Sequence, residues 1–206
     1  MYLKCVMRRP RAVVGLATLF PAVILIGCSD LPSPTDASLL APSASAALSK
    51  GGSDHAGAIV AHDACDPATF NAALNDPTAC MKEGHTAFQD FIGELVATQT
   101  ARAWRFNPLQ ATTHAGENLL AQNVGGETHT FTPVHQFGGG FIADLNGISG
   151  NPVPAPECLN FPALDFVASG EKSLISGAAL AAVAVNGVAK VECCIHPWMR
   201  AEVRIK

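Results

Sequence analysis

The sequence predicts a mainly β protein: a sandwich or barrel of short strands, with a short helical extension in front and a long loop insertion within. Three observations lead there. After Thr100, apolar residues recur in short runs divided by Gly or Pro. Helical patterns are confined to residues 57–101. Residues 138–170 are rich in Gly, Pro and Asn and follow no clear period.

The chain has 206 residues, 49% hydrophobic and 15% charged, with a mean hydropathy of +0.25. Part of the apolar excess lies at the front, where residues 12–26 carry no charge and follow Lys4, Arg8, Arg9 and Arg11. A membrane-spanning helix needs about 20 apolar residues, so the layout is that of an export signal rather than a permanent span. Leu25-Ile26-Gly27-Cys28 resembles the lipobox of bacterial lipoproteins, which implies cleavage after Gly27 and lipidation of Cys28. Ser29, rather than Asp, follows that cysteine. The expectation is an exported protein, lipid-anchored in the periplasm or at the cell surface, on the outer membrane if the cell has two. Residues 28–56, mostly Ser, Ala, Pro, Leu and Gly, read as a flexible tether.

Without the four basic residues of the signal, nine Lys and Arg remain against 17 Asp and Glu, a net charge of about −8 that repels phosphate backbones and argues against nucleic acid as a partner. No Gly period, sustained heptad or second apolar span is present, which excludes collagen, coiled coil and a polytopic membrane protein.

Residues 57–206 have the size of one domain with one core. Asp66-Pro67 opens a short helix as N-cap and first-turn proline. Phe88, Phe91, Ile92, Leu95 and Val96 fall at helical spacing, with Thr86 and Gln89 spaced as a capping box. These two helices make up the extension, residues 57–101. In the sandwich core, residues 102–206, strands are expected at 102–108, 109–114, 118–123, 128–134, 179–185, 188–194 and 201–205. Asn186-Gly187 is expected as a hairpin turn.

Five of the seven cysteines stay available once Cys5 leaves with the signal and Cys28 takes lipid: Cys65, Cys80, Cys158, Cys193 and Cys194. An exported compartment permits disulfides, yet five is odd, so one thiol has another use. If that one is Cys193, the other four allow three connectivities. Cys65 with Cys80 and Cys158 with Cys194 is the preferred one.

Cys193-Cys-Ile-His196-Pro-Trp-Met199 lies between two strand-like runs and gathers a thiolate, an imidazole and a thioether in one loop. That is most of the donor set of a blue-copper centre, which adds a second imidazole. Asn123-Val-Gly-Gly-Glu-Thr-His129 supplies one upstream. His135 is the other histidine near this strand, but it lacks the Asn spacing. Together, Asn123-x5-His129 and Cys193-x2-His196-x2-Met199 resemble the cupredoxin family, in particular its amicyanin-like and plastocyanin-like members, over about residues 102–206. The resemblance implies a cupredoxin-like Greek-key β-sandwich and one type 1 copper ion held by His129, Cys193, His196 and Met199. It also implies backbone N–H groups of Thr130 and Ile195 on the sulfur, and an apolar patch at Pro197 and Trp198 where redox partner proteins dock. Two departures stand out. The 64 positions from His129 to Cys193 exceed the family's usual gap, and Thr130 replaces the Asn common after the upstream His. The expected function is one-electron transfer between proteins by a monomer, with no enzymatic turnover. The competing readings are copper storage and a metal-free binding module.

Overall fold

A computed structural model describes residues 57–206; the expected export signal, Cys28 and the expected tether lie outside the described residues. No helix among the described residues is long and apolar enough to cross a membrane.

The expected mainly β architecture is present. Strand β1 (Ala58–His62) is followed by helices α1 (Pro67–Leu74) and α2 (Phe88–Thr98). Strands β2 (Arg105–Asn107), β3 (Gln110–Thr113), β4 (Leu119–Asn123), β5 (His129–Thr130) and β6 (Thr132–Val134) come next. The insertion holds helix α3 (Ala143–Ile148), two 3-10 turns and β7 (Phe166–Val167). The chain closes with β8 (Lys172–Ile175), α4 (Gly177–Val183), β9 (Val188–Glu192) and β10 (Arg200–Ile205). One sheet runs β2-β1-β4-β8, a second β3-β10-β9-β6, and β5 pairs with β7. β1 with β4 and β3 with β10 are parallel and the other pairs antiparallel.

Residues alternate across each strand, so every second side chain enters the core. Ile59, Ala61, Phe106, Leu119 and Ala121 from the first sheet share one buried cluster with Ala189, Val191, Ala201 and Val203 from the second. That cluster continues into Phe70, Phe91, Leu95 and Trp104. Helices α1 and α2 and both sheets therefore share one main core, beside a smaller cluster of Val134, Ala155, Cys158 and Cys194.

Several expectations change. The extension is not wholly helical, because β1 lies inside the first sheet between β2 and β4. Asp66 caps α1 as expected, its side chain accepting from Ala68 N and Thr69 N. The capping box at Thr86 and Gln89 does not form: α2 starts after Ala87 with no side-chain cap, and Thr86 bridges Cys65 instead. On α2, Phe91 and Leu95 are buried, Phe88 and Ile92 pack partly, and Val96 is exposed. Residues 179–185, expected as a strand, belong largely to α4. Its Ala-rich run favours helix, Ser176 caps it, and Leu180 and Val183 bury one face. The Asn186-Gly187 turn forms with positive φ at both residues, but it joins α4 to β9 rather than two strands.

Both preferred disulfides, Cys65–Cys80 and Cys158–Cys194, are present, and Cys193 is free and buried.

Candidate metal centre

β4 ends on Asn123, and the five residues that follow must turn the chain so that His129 faces the core. Asn123 holds that turn. Its Nδ2 donates to the carbonyls of Glu127 (2.6 Å) and Val167 (2.9 Å), and its Oδ1 accepts from Gly125 N–H (2.9 Å). An Asn at this position thus binds three backbone groups that would otherwise be buried without partners.

The second donor segment is the tight loop between β9 and β10. Cys193 N–H donates to the Met199 carbonyl (3.0 Å) and Met199 N–H to the His196 carbonyl (2.9 Å), closing the loop on itself. Thr130 Oγ1 accepts from Cys194 N–H at 2.8 Å, so the threonine that replaces Asn still ties the upstream strand to this loop. Thr130 N–H reaches Cys193 Sγ at 3.4 Å. Among the described residues no such bond comes from Ile195 N–H, contrary to expectation; the sulfur's other neighbours are the two imidazoles.

His129, Cys193 and His196 come together, all buried. Cys193 Sγ lies 3.7 Å from His129 Nδ1 and 3.8 Å from His196 Nδ1, and the two Nδ1 atoms are 3.3 Å apart. A point equidistant from these three atoms sits about 2.1 Å from each, within the roughly 2.0–2.3 Å at which first-row metals take imidazole and thiolate donors. The donor set and its spacing therefore fit a bound metal ion. Met199 is buried at the end of the same loop.

Two acidic residues that the sequence reading did not single out stand behind the imidazoles. Asp63, directly after β1, accepts from His129 Nε2 at 2.9 Å, with both side chains fully buried. It also accepts from the N–H groups of Gly126 (2.8 Å), Glu127 (3.1 Å) and Cys65 (3.3 Å). A Cβ at Gly125 would overlap the Asp63 carboxylate, and one at Gly126 would overlap Cys65 Sγ, which accounts for the glycine pair. Glu127 Oε2 lies 3.5 Å from His196 Nε2 and accepts from the indole N–H of Trp104.

Burial works to raise the Asp63 carboxyl, but the His129 ring and the Gly126 and Glu127 amides outweigh it and leave the group below its usual value. Burial pushes Glu127 up. Burial would lower His129, but Asp63 and the Cys193 sulfur raise it to about 10. Burial likewise opposes ionisation of Cys193, yet the two imidazoles bring its thiol well below the usual range. The two imidazoles thus favour the thiolate, the form that binds metal.

His196 does not reach the surface as expected: it is 3% exposed, and Pro197 is also buried. The cause is the aromatic packing of the extension. Phe91 packs at a tilt against Trp104 (4.5 Å) and Trp198 (5.9 Å), and Trp198 meets His196 edge-on (5.4 Å). His196 borders an apolar cleft of about 340 Å³ between α1, α2 and α3, whose lining includes Phe88, Ile92, Leu145, Ile195 and Glu127.

No protein-family profile matches this chain, and neither does any curated protein sequence. Among solved structures it is similar to the purple cupredoxin of Nitrosopumilus maritimus, at 17% identity over 52% of this chain and 86% of that one, with a TM-score of 0.32. It is similar to a mutant fern plastocyanin at 17% identity, 50% and 89% coverage, and a TM-score of 0.31. Amicyanin from Paracoccus versutus is similar at 16% identity, 50% and 73% coverage, and a TM-score of 0.30.

Proposed function

We propose that this chain is a type 1 copper protein that carries single electrons between partner proteins at the cell envelope, anchored there by lipid on Cys28. The observation that carries this reading is the convergence of one thiolate sulfur and two imidazole Nδ1 atoms at 3.3–3.8 Å from one another in a buried pocket. A dihistidine-thiolate set with a weak axial thioether is the donor pattern of blue-copper electron-transfer sites. Met199, buried in the same loop, would supply the thioether. Copper, when bound, supplies a one-electron couple.

The chain's own residues do the rest. The loop bonds at Cys193 and Met199 and the Asn123 clamp hold the donors in place, so little needs to move when charge changes. The Thr130 N–H on the sulfur draws density from the thiolate and favours the reduced state. The sandwich core and the aromatic cap exclude water. Electrons pass through His196 at the floor of the apolar cleft, rather than through a flat patch at Pro197 and Trp198.

The burial of His196 beneath the cap favours a second reading, in which the protein holds and hands over copper without acting as a redox carrier. Titration of the metal-free protein with Cu(II) tests the first claim: one equivalent is expected to give an intense thiolate-to-copper band in the red, and no band defeats the copper reading. Reversible one-electron voltammetry is expected for the carrier; a blue protein without it is a store.

A further inference from the structure

Each imidazole that faces the donor triangle through Nδ1 presents its other nitrogen to a buried carboxylate. The two carboxylates are not equivalent. Asp63 is fully buried, lies 2.9 Å from His129 Nε2 and takes three backbone N–H groups besides. Glu127 lies 3.5 Å from His196 Nε2 and shares one oxygen with the Trp104 indole. Asp63 is also rigidly delivered. It follows the central strand β1, stands two residues before the Cys65–Cys80 disulfide, and enters a space kept open by Gly125.

Resting on the copper reading above, we infer that Asp63 is the positioning residue of the centre: it fixes His129 with its proton on Nε2 and its Nδ1 lone pair toward the metal, and its buried charge favours Cu(II) over Cu(I). Two physical effects support this. A carboxylate on the outer nitrogen orients a ligating imidazole and makes it a stronger donor, and removing such partners costs about 10–100-fold in metal affinity elsewhere. A negative charge in a dry interior also acts on the metal with little screening, and it stabilises the more positive oxidation state. This opposes the Thr130 N–H on the sulfur. The centre is thus set by two opposed groups, one behind His129 and one on Cys193.

The test uses the full chain. In Asp63→Asn the side chain keeps its size and loses its charge. The expected result is a protein that still turns blue, with the Cu(II)-to-Cu(I) affinity ratio at least tenfold lower, read as a potential about 59 mV or more higher. Cu(II) release to a chelator is expected to be at least tenfold faster. Glu127→Gln is expected to move both quantities less. A wild-type protein without a blue band defeats the copper reading itself; a blue wild type with Asp63→Asn unmoved in potential and release overturns the role of Asp63 alone. A measurement on the wild type does not depend on the variant folding. In the diamagnetic Cu(I) protein, nitrogen-15 NMR should show His129 with a slowly exchanging, downfield Nε2–H. A proton on Nδ1, or a freely exchanging Nε2–H, overturns the inference.

Discussion

His129 and His196 point the same atom, Nδ1, toward the Cys193 sulfur, yet the protein supports them in opposite ways. His129 sits on β5 inside the sandwich, backed by an ionised, four-times hydrogen-bonded Asp63 at 2.9 Å and cut off from solvent. His196 sits in a loop, backed at 3.5 Å by Glu127, and borders a cleft. The difference separates two tasks that one ligand cannot perform equally well. In the proposed carrier, a sealed, anchored imidazole would preserve geometry, and one beside a cleft would give electrons a way out.

The largest expected effect breaks that contrast outright. His129→Gly should lose the blue band, and free imidazole should not restore it, because the vacated space is sealed; it also leaves Asp63 as a buried charge without its ring partner, a destabilisation of about 3–5 kcal/mol by denaturant unfolding. His196→Gly should likewise lose the band, but regain it with millimolar imidazole entering from the cleft. Equal rescue of both variants would abolish the distinction.

Next in size is the bridge that fixes the Asp63 side. Replacing Cys65 and Cys80 with Ala opens a loop spanning 15 positions and should cost about 3 kcal/mol of unfolding free energy. The potential should shift toward that of Asp63→Asn, since β1 then holds Asp63 less firmly.

A smaller effect concerns pH. In the metal-free protein the folded-state pKa of His129 is raised by its partners, so at neutral pH the ring carries a proton that metal must displace. Copper affinity should therefore rise with pH through the neutral range, approaching tenfold per unit for one displaced proton. Isothermal titration in buffers of different ionisation enthalpy should detect that proton, and a flat profile contradicts it.

A further expected change lies away from both imidazoles. Burial raises Glu192 to about 8, so its contribution to stability is complete below the unfolded value near 4.5 and is lost as pH rises through 8. Glu192→Gln should therefore raise the melting temperature above pH 8 and leave it nearly unchanged near pH 4.

The legible and illegible parts of the centre divide along the same line. His196, Cys193 and Met199 were readable because one loop carries them at fixed spacing, and His129 because Asn123 marks the turn before it. Counting cysteines left one thiol over and three possible pairings, of which the preferred one forms. Asp63 was not readable, because it lies 66 positions before His129, and only folding of β1 beside β4 brings it near. Glu127 left a fainter signal, an acid two residues before the upstream histidine. The Ala-rich run at 179–185 misled for another reason: a short apolar segment is compatible with either period, and Ser176 as its cap was the deciding residue. The cap over His196 escaped because aromatic stripes do not say what they cover.

Cys193 and Cys194 are neighbours in sequence, but their side chains enter different buried clusters. One sulfur meets the imidazoles, and the other is bonded to Cys158 across the insertion. In the exported setting proposed above, an oxidising compartment would sort the two adjacent thiols by direction alone. The bond at Cys194 occupies the cysteine of the insertion, and the neighbouring Cys193 sulfur stays reduced and buried among the imidazoles.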